Sequence, residues 1–288
     1  MAKEQFGFIG LGNMGQPMAG HVKKAGHDLI VHDLAGTADR APEGARIAQS
    51  NAEVARQASV LALSLPTVAA NRAVVEEIVE AGNAGSVVID TCTIGPDAAA
   101  KNAAKLKAAG IAYVDAPVSG LKARADEGTL ASMIAGSDAD IARARPLIEA
   151  YSRVVFVVGD RPGQGQRMKV VNNAIYISTL VTVSEALAFG EHGGLDLQTM
   201  LDVVNASSGQ CLVTQQVFPT YMMSEPPGIS GAEALVLKKD LSLFVEGAAR
   251  EGTPNAAIAK AYETIAAFSD ADPRQDKAEI YKFIFARE

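Results

Sequence analysis

"FGFIGLGNMGQPMAGHVKKAGHDLIVHD", residues 6–33, runs from an apolar stretch through three close glycines into a helix-like segment, and then through a second apolar run to an acid. Glycine loses more conformational freedom on ordering than any other residue, so three within six positions need a reason. The six residues Gly10, Leu11, Gly12, Asn13, Met14 and Gly15 fit the pattern GxGxxG. By itself that pattern also describes a glycine-rich turn with no ligand. The flanks narrow the choice. Pro17 suits a first helical turn and Gly26 a helix stop, which predicts a helix over 17–25. The run after it ends in Asp33, 18 residues past Gly15.

Strand, glycine loop, helix, strand and acid at this spacing form the fingerprint of a Rossmann-type dinucleotide site. Gly10 makes the tight turn, Gly12 admits the pyrophosphate close to the backbone, and Gly15 lets helix and strand pack closely. The helix N-terminus offers N–H groups and positive potential to the phosphates. Asp33 can accept hydrogen bonds from the adenosine ribose and would repel a 2′-phosphate. NAD is therefore expected, with NADP still possible because Arg40 stands close by in sequence.

Beyond residue 33 the first half keeps alternating. The pattern predicts strands over 7–9, 28–32, 60–63, 87–90, 112–115, 131–135 and 154–158. Helices are predicted over 17–25, 51–57, 71–80, 98–108 and 138–150. That alternation indicates a mostly parallel, doubly wound α/β sheet. From Met168 onward only helical periodicity remains. Breaks fall at Gly193–Gly194, at Ser207–Gly209 and at the stretches "SEPPGISG" and "DADPRQD". We therefore expect a dinucleotide-binding domain over 1–161 and an all-helical substrate and oligomerisation domain over 162–288, with a long helix between them.

Composition agrees with a soluble globular protein: 48% hydrophobic and 20% charged residues over 288 positions allow sizeable cores. The formal charge of −7 argues against a nucleic-acid surface. Asn172, Asn173, Ser184 and Glu185 interrupt the greasiest stretch, so a buried helix is favoured over a membrane span. The start "MAKEQ" has no signal-like apolar region, and a cytoplasmic protein is expected. Cys92 and Cys211 are far apart and the four histidines show no ligand spacing, so no metal is expected.

Further candidates sit where strands end, the edge at which open α/β sheets bind ligands. Leu65 and Pro66 follow one strand and Thr93 the next; ordinary turn chemistry would also place them there. "DAPVSG" brings Ser119 and Gly120 after another strand, able to hold a small carboxylate or simply to turn the chain. "GQGQRMKVVNNAIY" opens the long helix and sets Lys169, Asn173 and Tyr176 on one face. A lysine partly desolvated there would have its pKa lowered toward the range of an acid–base catalyst, whereas a solvated one would be inert. Lys239 and Asp240 in "LKKDLSLF" suit a solvated helix pair.

Taken together, "GFIGLGNMGQPMA", "DAPVSG", "GTL", "GQGQRMKVVNN", "NASSG" and "KKDL" resemble the β-hydroxyacid dehydrogenases, in the family's order and over nearly the whole chain. The resemblance implies an active site in a cleft between a Rossmann domain and a helical domain. It implies Lys169 as catalytic lysine with Asn173 beside it, Ser119 and Gly120 as the substrate-carboxylate loop, Thr93 beside the nicotinamide, and Lys239 near cofactor and substrate. It also implies a homodimer or homotetramer. One position departs: the family's second glycine after "DAPVSG" is Leu121 here. The expected activity is hydride transfer between NAD and a small anionic 3-hydroxy acid, 3-hydroxyisobutyrate-like, or its semialdehyde or keto acid. Rival readings are an NADPH-dependent aldehyde or imine reductase, a 6-phosphogluconate-type decarboxylating enzyme, and a non-catalytic dinucleotide sensor.

Overall fold

The computed structural model describes residues 4–286. The chain divides into two compact units at Lys169–Val170.

The first unit holds a nine-stranded sheet. Its strands are β1 (Phe6–Ile9), β2 (Leu29–His32), β3 (Arg46–Ile47), β4 (Val60–Leu63), β5 (Val87–Asp90), β6 (Ala112–Asp115), β7 (Val118–Ser119), β8 (Leu130–Ala135) and β9 (Ser152–Gly159). They lie in the order β3-β2-β1-β4-β5-β6-β8-β7, and β9 pairs with β8. Pairing is parallel from β3 to β6 and antiparallel where β8 meets β6 and β7. The first six strands thus have the doubly wound order whose direction of winding reverses between β1 and β4.

Both faces of this sheet are covered along its central strands: β1, β4 and β5 are buried throughout, whereas β3 and half of β9 are exposed. Phe6, Phe8, Leu29, Val31, Val60, Ala62, Val87 and Ile89 point to one face. There they meet Met18, Ala19 and Val22 of α1 (Gly15–Lys24) and Ile141, Leu147 and Ile148 of α6 (Asp138–Glu149). Ile9, Ile30, Leu61, Leu63 and Val88 point to the other, against α2 (Asn51–Gln57), α3 (Val68–Ala81) and α4 (Pro96–Ala108). This period-two division is what seals a parallel sheet from water.

Three short elements lie where none was expected: β3, β7 and α5 (Leu121–Glu127). A two-residue strand is too short for alternation to register in sequence. α5 is announced only by helix-favouring residues after Gly120, with no polar cap in front of it.

α7 (Gln164–His192) begins in the first unit and continues through the second. It alone among the described residues is long and apolar enough to cross a membrane, with mean hydropathy 1.2 over its most apolar window. Its Ala174, Ile177, Leu180, Val181, Leu187 and Ala188 instead lie in the core of the second unit. That unit continues with α8 (Leu197–Asn205), a π-helical segment (Val213–Met222), α9 (Ala234–Glu251), α10 (Ala256–Ala271), a 3₁₀ turn (Lys277–Glu279) and α11 (Ile280–Phe285).

Candidate active site

The three glycines of the loop after β1 differ in what requires them. Gly10 has φ +93, and a Cβ there would strike the carbonyl oxygen of Ser64 at the end of β4. A Cβ on Gly15 would strike the carbonyl oxygen of Gly10. Both glycines are therefore demanded by the fold. Gly12 is exposed, and no heavy atom of the protein lies within 4 Å of where its Cβ would sit. Its open backbone suits a ligand that approaches closely, and the neighbouring N-terminus of α1 carries no side-chain cap and no acid in its first turn. The loop thus fits a dinucleotide's pyrophosphate.

Leu11 is placed differently from its neighbours: its side chain is core and its N–H donates to Asp33 Oδ2 at 2.6 Å. Asn13 is exposed and Met14 half-buried against the core. The Asp33 carboxylate also accepts from Ala35 N at 2.8 Å and from Arg40 Nη1 at 3.1 Å through Oδ1. Asp33 thus both braces the glycine loop and sits beside a cation.

Leu65 follows β4 and donates its N–H to Cys92 Sγ at 3.1 Å; Pro66 beside it is exposed. Thr93, half-buried, lies in the next loop, which is held by Gln166 from the first turn of α7. Gln166 Oε1 accepts from Ile94 N and Gly95 N at 3.0 and 3.1 Å, and its Nε2 donates to Cys92 O at 2.8 Å. Asp115, at the end of β6, takes hold of the same turn: Oδ2 accepts from Gly163 N at 3.1 Å and Gln166 N at 2.8 Å. Burial pushes the Asp115 carboxyl up to about 7, against the lowering effect of those two N–H groups. Sequence reading did not assign a role to Asp115 or Gln166. The signal was present in Gly165, whose Cβ would press on Met133 O and Asp115.

This anchored turn carries Lys169, which is 8% exposed. One turn further, buried Asn173 donates to Asp240 Oδ2 at 2.7 Å, and Lys239 Nζ lies 2.8 Å from Asp240 Oδ1. The Lys239–Asp240 pair is therefore not a solvated one: Asp240 is 7% exposed.

Ser119 ends β7, and Gly120 follows at φ +146, where a Cβ would crowd Arg124 and Leu130. Leu121 has φ +60, the one non-glycine positive φ among the described residues. Leucine here keeps a backbone shape that glycine adopts freely, and half-buries its side chain at the start of α5.

Known proteins complete the picture. Residues 5–159 match a family model described as the NAD binding domain of 6-phosphogluconate dehydrogenase. Residues 163–284 match one described as NAD-binding of NADP-dependent 3-hydroxyisobutyrate dehydrogenase. The chain is 34% identical over 258 residues to 2-(hydroxymethyl)glutarate dehydrogenase of Eubacterium barkeri, covering 86% of this chain and 83% of that protein. It is 34% identical over 282 residues to 3-hydroxyisobutyrate dehydrogenase of Pseudomonas aeruginosa, covering 92% and 93%. Among solved structures, Mycobacterium tuberculosis 3-hydroxyisobutyrate dehydrogenase with L-serine superposes with TM-score 0.87 at 27% identity, covering 98% of this chain and 99% of that one. With the doubly wound sheet, the open Gly12 backbone and the helical second unit, these matches establish that the chain belongs to the β-hydroxyacid dehydrogenase family, NAD(P)-dependent oxidoreductases acting on a CH–OH group.

Proposed function

We propose that the protein oxidises a small 3-hydroxy acid reversibly, with Lys169 as the group that moves the proton. Bound NAD(P) supplies the hydride acceptor. Lys169, as the free amine, takes the hydroxyl proton while the C–H bond breaks, and returns it in the reducing direction. Asn173 orients the reacting groups, its own amide held by Asp240. Ser119 and the amides of Gly120 and Leu121 bind the substrate carboxylate, and Leu121 presents an apolar wall to the remainder. That wall favours a 3-hydroxyisobutyrate-like acid over a more hydroxylated one, whose hydroxyls would lose water without finding partners. The cofactor assignment extends to Gly10–Gly15 and Asp33, with Leu65, Pro66, Thr93 and Lys239 completing it.

The observation that carries this reading is a nearly buried Lys169 on a helical turn tied down by Asp115 and Gln166. A lysine kept only for solubility needs neither burial nor such anchoring. We also infer a homo-oligomer, supported by the exposure of Ile175 and Phe189 on α7, and a cytoplasmic location. The test is Lys169→Ala: NAD binding stays near wild type while kcat falls at least about 10²-fold, and Lys169→Arg does not restore it because guanidinium stays protonated. Near-wild-type turnover by Lys169→Ala would remove this lysine from the mechanism.

A further inference from the structure

Lys277, in the 3₁₀ turn of the second unit, is fully buried, and its ammonium has no hydrogen-bond partner among the described residues. Such a group is costly to bury unless an anion accompanies it. The adjacent Asp276 does not serve. Its Oδ2 accepts from Ser230 N and Gly231 N at 3.0 and 2.8 Å, and its Oδ1 from Ser230 Oγ and Ala278 N at 2.6 and 2.9 Å. Burial brings the Lys277 ammonium down to about 8, with the Asp276 charge opposing.

Two aromatic rings flank the ammonium: Tyr176 of α7 at 5.5 Å and Tyr221 of the π-helical segment at 5.6 Å from Nζ to ring centroid. They favour the charged form without neutralising it. The hydroxyl of Tyr176 is likewise buried and without a partner among the described residues. Two donors therefore stand in one cluster with nothing to receive them. Both rings are only partly buried, so the cluster lies just beneath a surface. Tyr176 is also three residues past Asn173 and seven past Lys169 on α7, on the face already assigned to catalysis.

We propose that Lys277 and Tyr176 form a second carboxylate subsite, which receives the far carboxylate of a dicarboxylic 3-hydroxy acid. A carboxylate has one oxygen for the ammonium and another for the phenol, and its single charge balances the lysine. A neutral group would leave the ammonium uncompensated, and a dianion would be repelled by nearby Asp276. The subsite rests on the dehydrogenase reading for its link to turnover, but not for its existence.

Two substrates separate the possibilities, because 2-(hydroxymethyl)glutarate is 3-hydroxyisobutyrate with a carboxymethyl group added to its methyl. Wild type should favour the dicarboxylate in kcat/KM. Lys277→Met should lower that value by about 10- to 100-fold, as expected for a lost charge-assisted hydrogen bond, and change the value for 3-hydroxyisobutyrate by less than about threefold. Tyr176→Phe, which removes only the hydroxyl, should act in the same sense and more weakly. Lys277→Met should melt no lower than wild type, since it removes an unpaired buried charge. A variant that melts lower and loses both substrates equally, or one that loses neither, overturns the subsite. If wild type oxidises neither acid, the substrate lies elsewhere among the 3-hydroxy acids, and thermal shift with glutarate still decides the subsite. Stabilisation of wild type but not of Lys277→Met supports it; equal stabilisation of both, or none, overturns it.

Discussion

Gly12 and Asp33 were legible because their reasons are local: a turn, a helix start and an acid at a fixed spacing. The structure adds that Gly12 alone of the three glycines answers to nothing inside the protein, while Asp33 is shared between the glycine loop and Arg40. That sharing sharpens the cofactor expectation. Asp33→Ser removes the repulsion of a 2′-phosphate and releases Arg40 toward it, so the NAD-over-NADP preference in kcat/KM should narrow or invert. A wild type that already prefers NADP would contradict the ribose assignment. Leu121 is legible as a departure in sequence, but its left-handed backbone is not. A leucine in that region is strained by roughly 1–2 kcal/mol, so Leu121→Gly should fold at close to wild-type stability despite the lost side chain. It should also shift the kcat/KM ratio toward glycerate and away from 3-hydroxyisobutyrate. An unchanged ratio would mean that Leu121 takes no part in selecting substrate.

Elements with a polar cap or a buried apolar run announced themselves, and uncapped or two-residue ones did not. α2, β4, β5 and β6 begin and end where hydrophobic period and caps place them, whereas β3 and β7 exist only because neighbouring strands offer them pairing. α7 was expected as a long buried helix, but its anchoring was not. Asp115 and Gln166 are some fifty residues apart in sequence, and no local pattern joins them. That joint makes a pH prediction. Burial, helped by the charge of Asp90, raises the Asp115 carboxyl to about 7, above its usual range near 3.9. The folded state therefore binds the proton more tightly than the unfolded chain does. The stability contributed by Asp115 is complete below about pH 4 and is lost as pH rises through about 7. Urea unfolding across that window should show this decline, and Asp115→Asn should flatten it, leaving the part due to buried Asp90, whose carboxyl is raised in the same direction. An identical pH slope in the variant would show that Asp115 does not titrate there.

Across the whole chain, the doubly wound sheet and the helical second unit followed from the change of period near residue 160. The partners of the candidate site did not. Asn173 and Asp240 are separated by 67 residues, and Tyr176 and Lys277 come from opposite ends of the second unit. Asn173 and Tyr176 are marked in sequence only by sharing a helix face with Lys169; which residues they meet is decided by packing, and no local pattern records it. Family membership and the anchored lysine converge on one claim: hydride leaves a hydroxy acid for NAD(P) while Lys169 takes the proton. The direct measurement is the near-ultraviolet absorbance of NADH formed by purified protein with NAD and a panel of 3-hydroxy acids, including 3-hydroxyisobutyrate and 2-(hydroxymethyl)glutarate. The account predicts steady, enzyme-dependent NADH formation with at least one of them, abolished in Lys169→Ala. A flat trace with every acid, from a protein that still binds NAD, would contradict it.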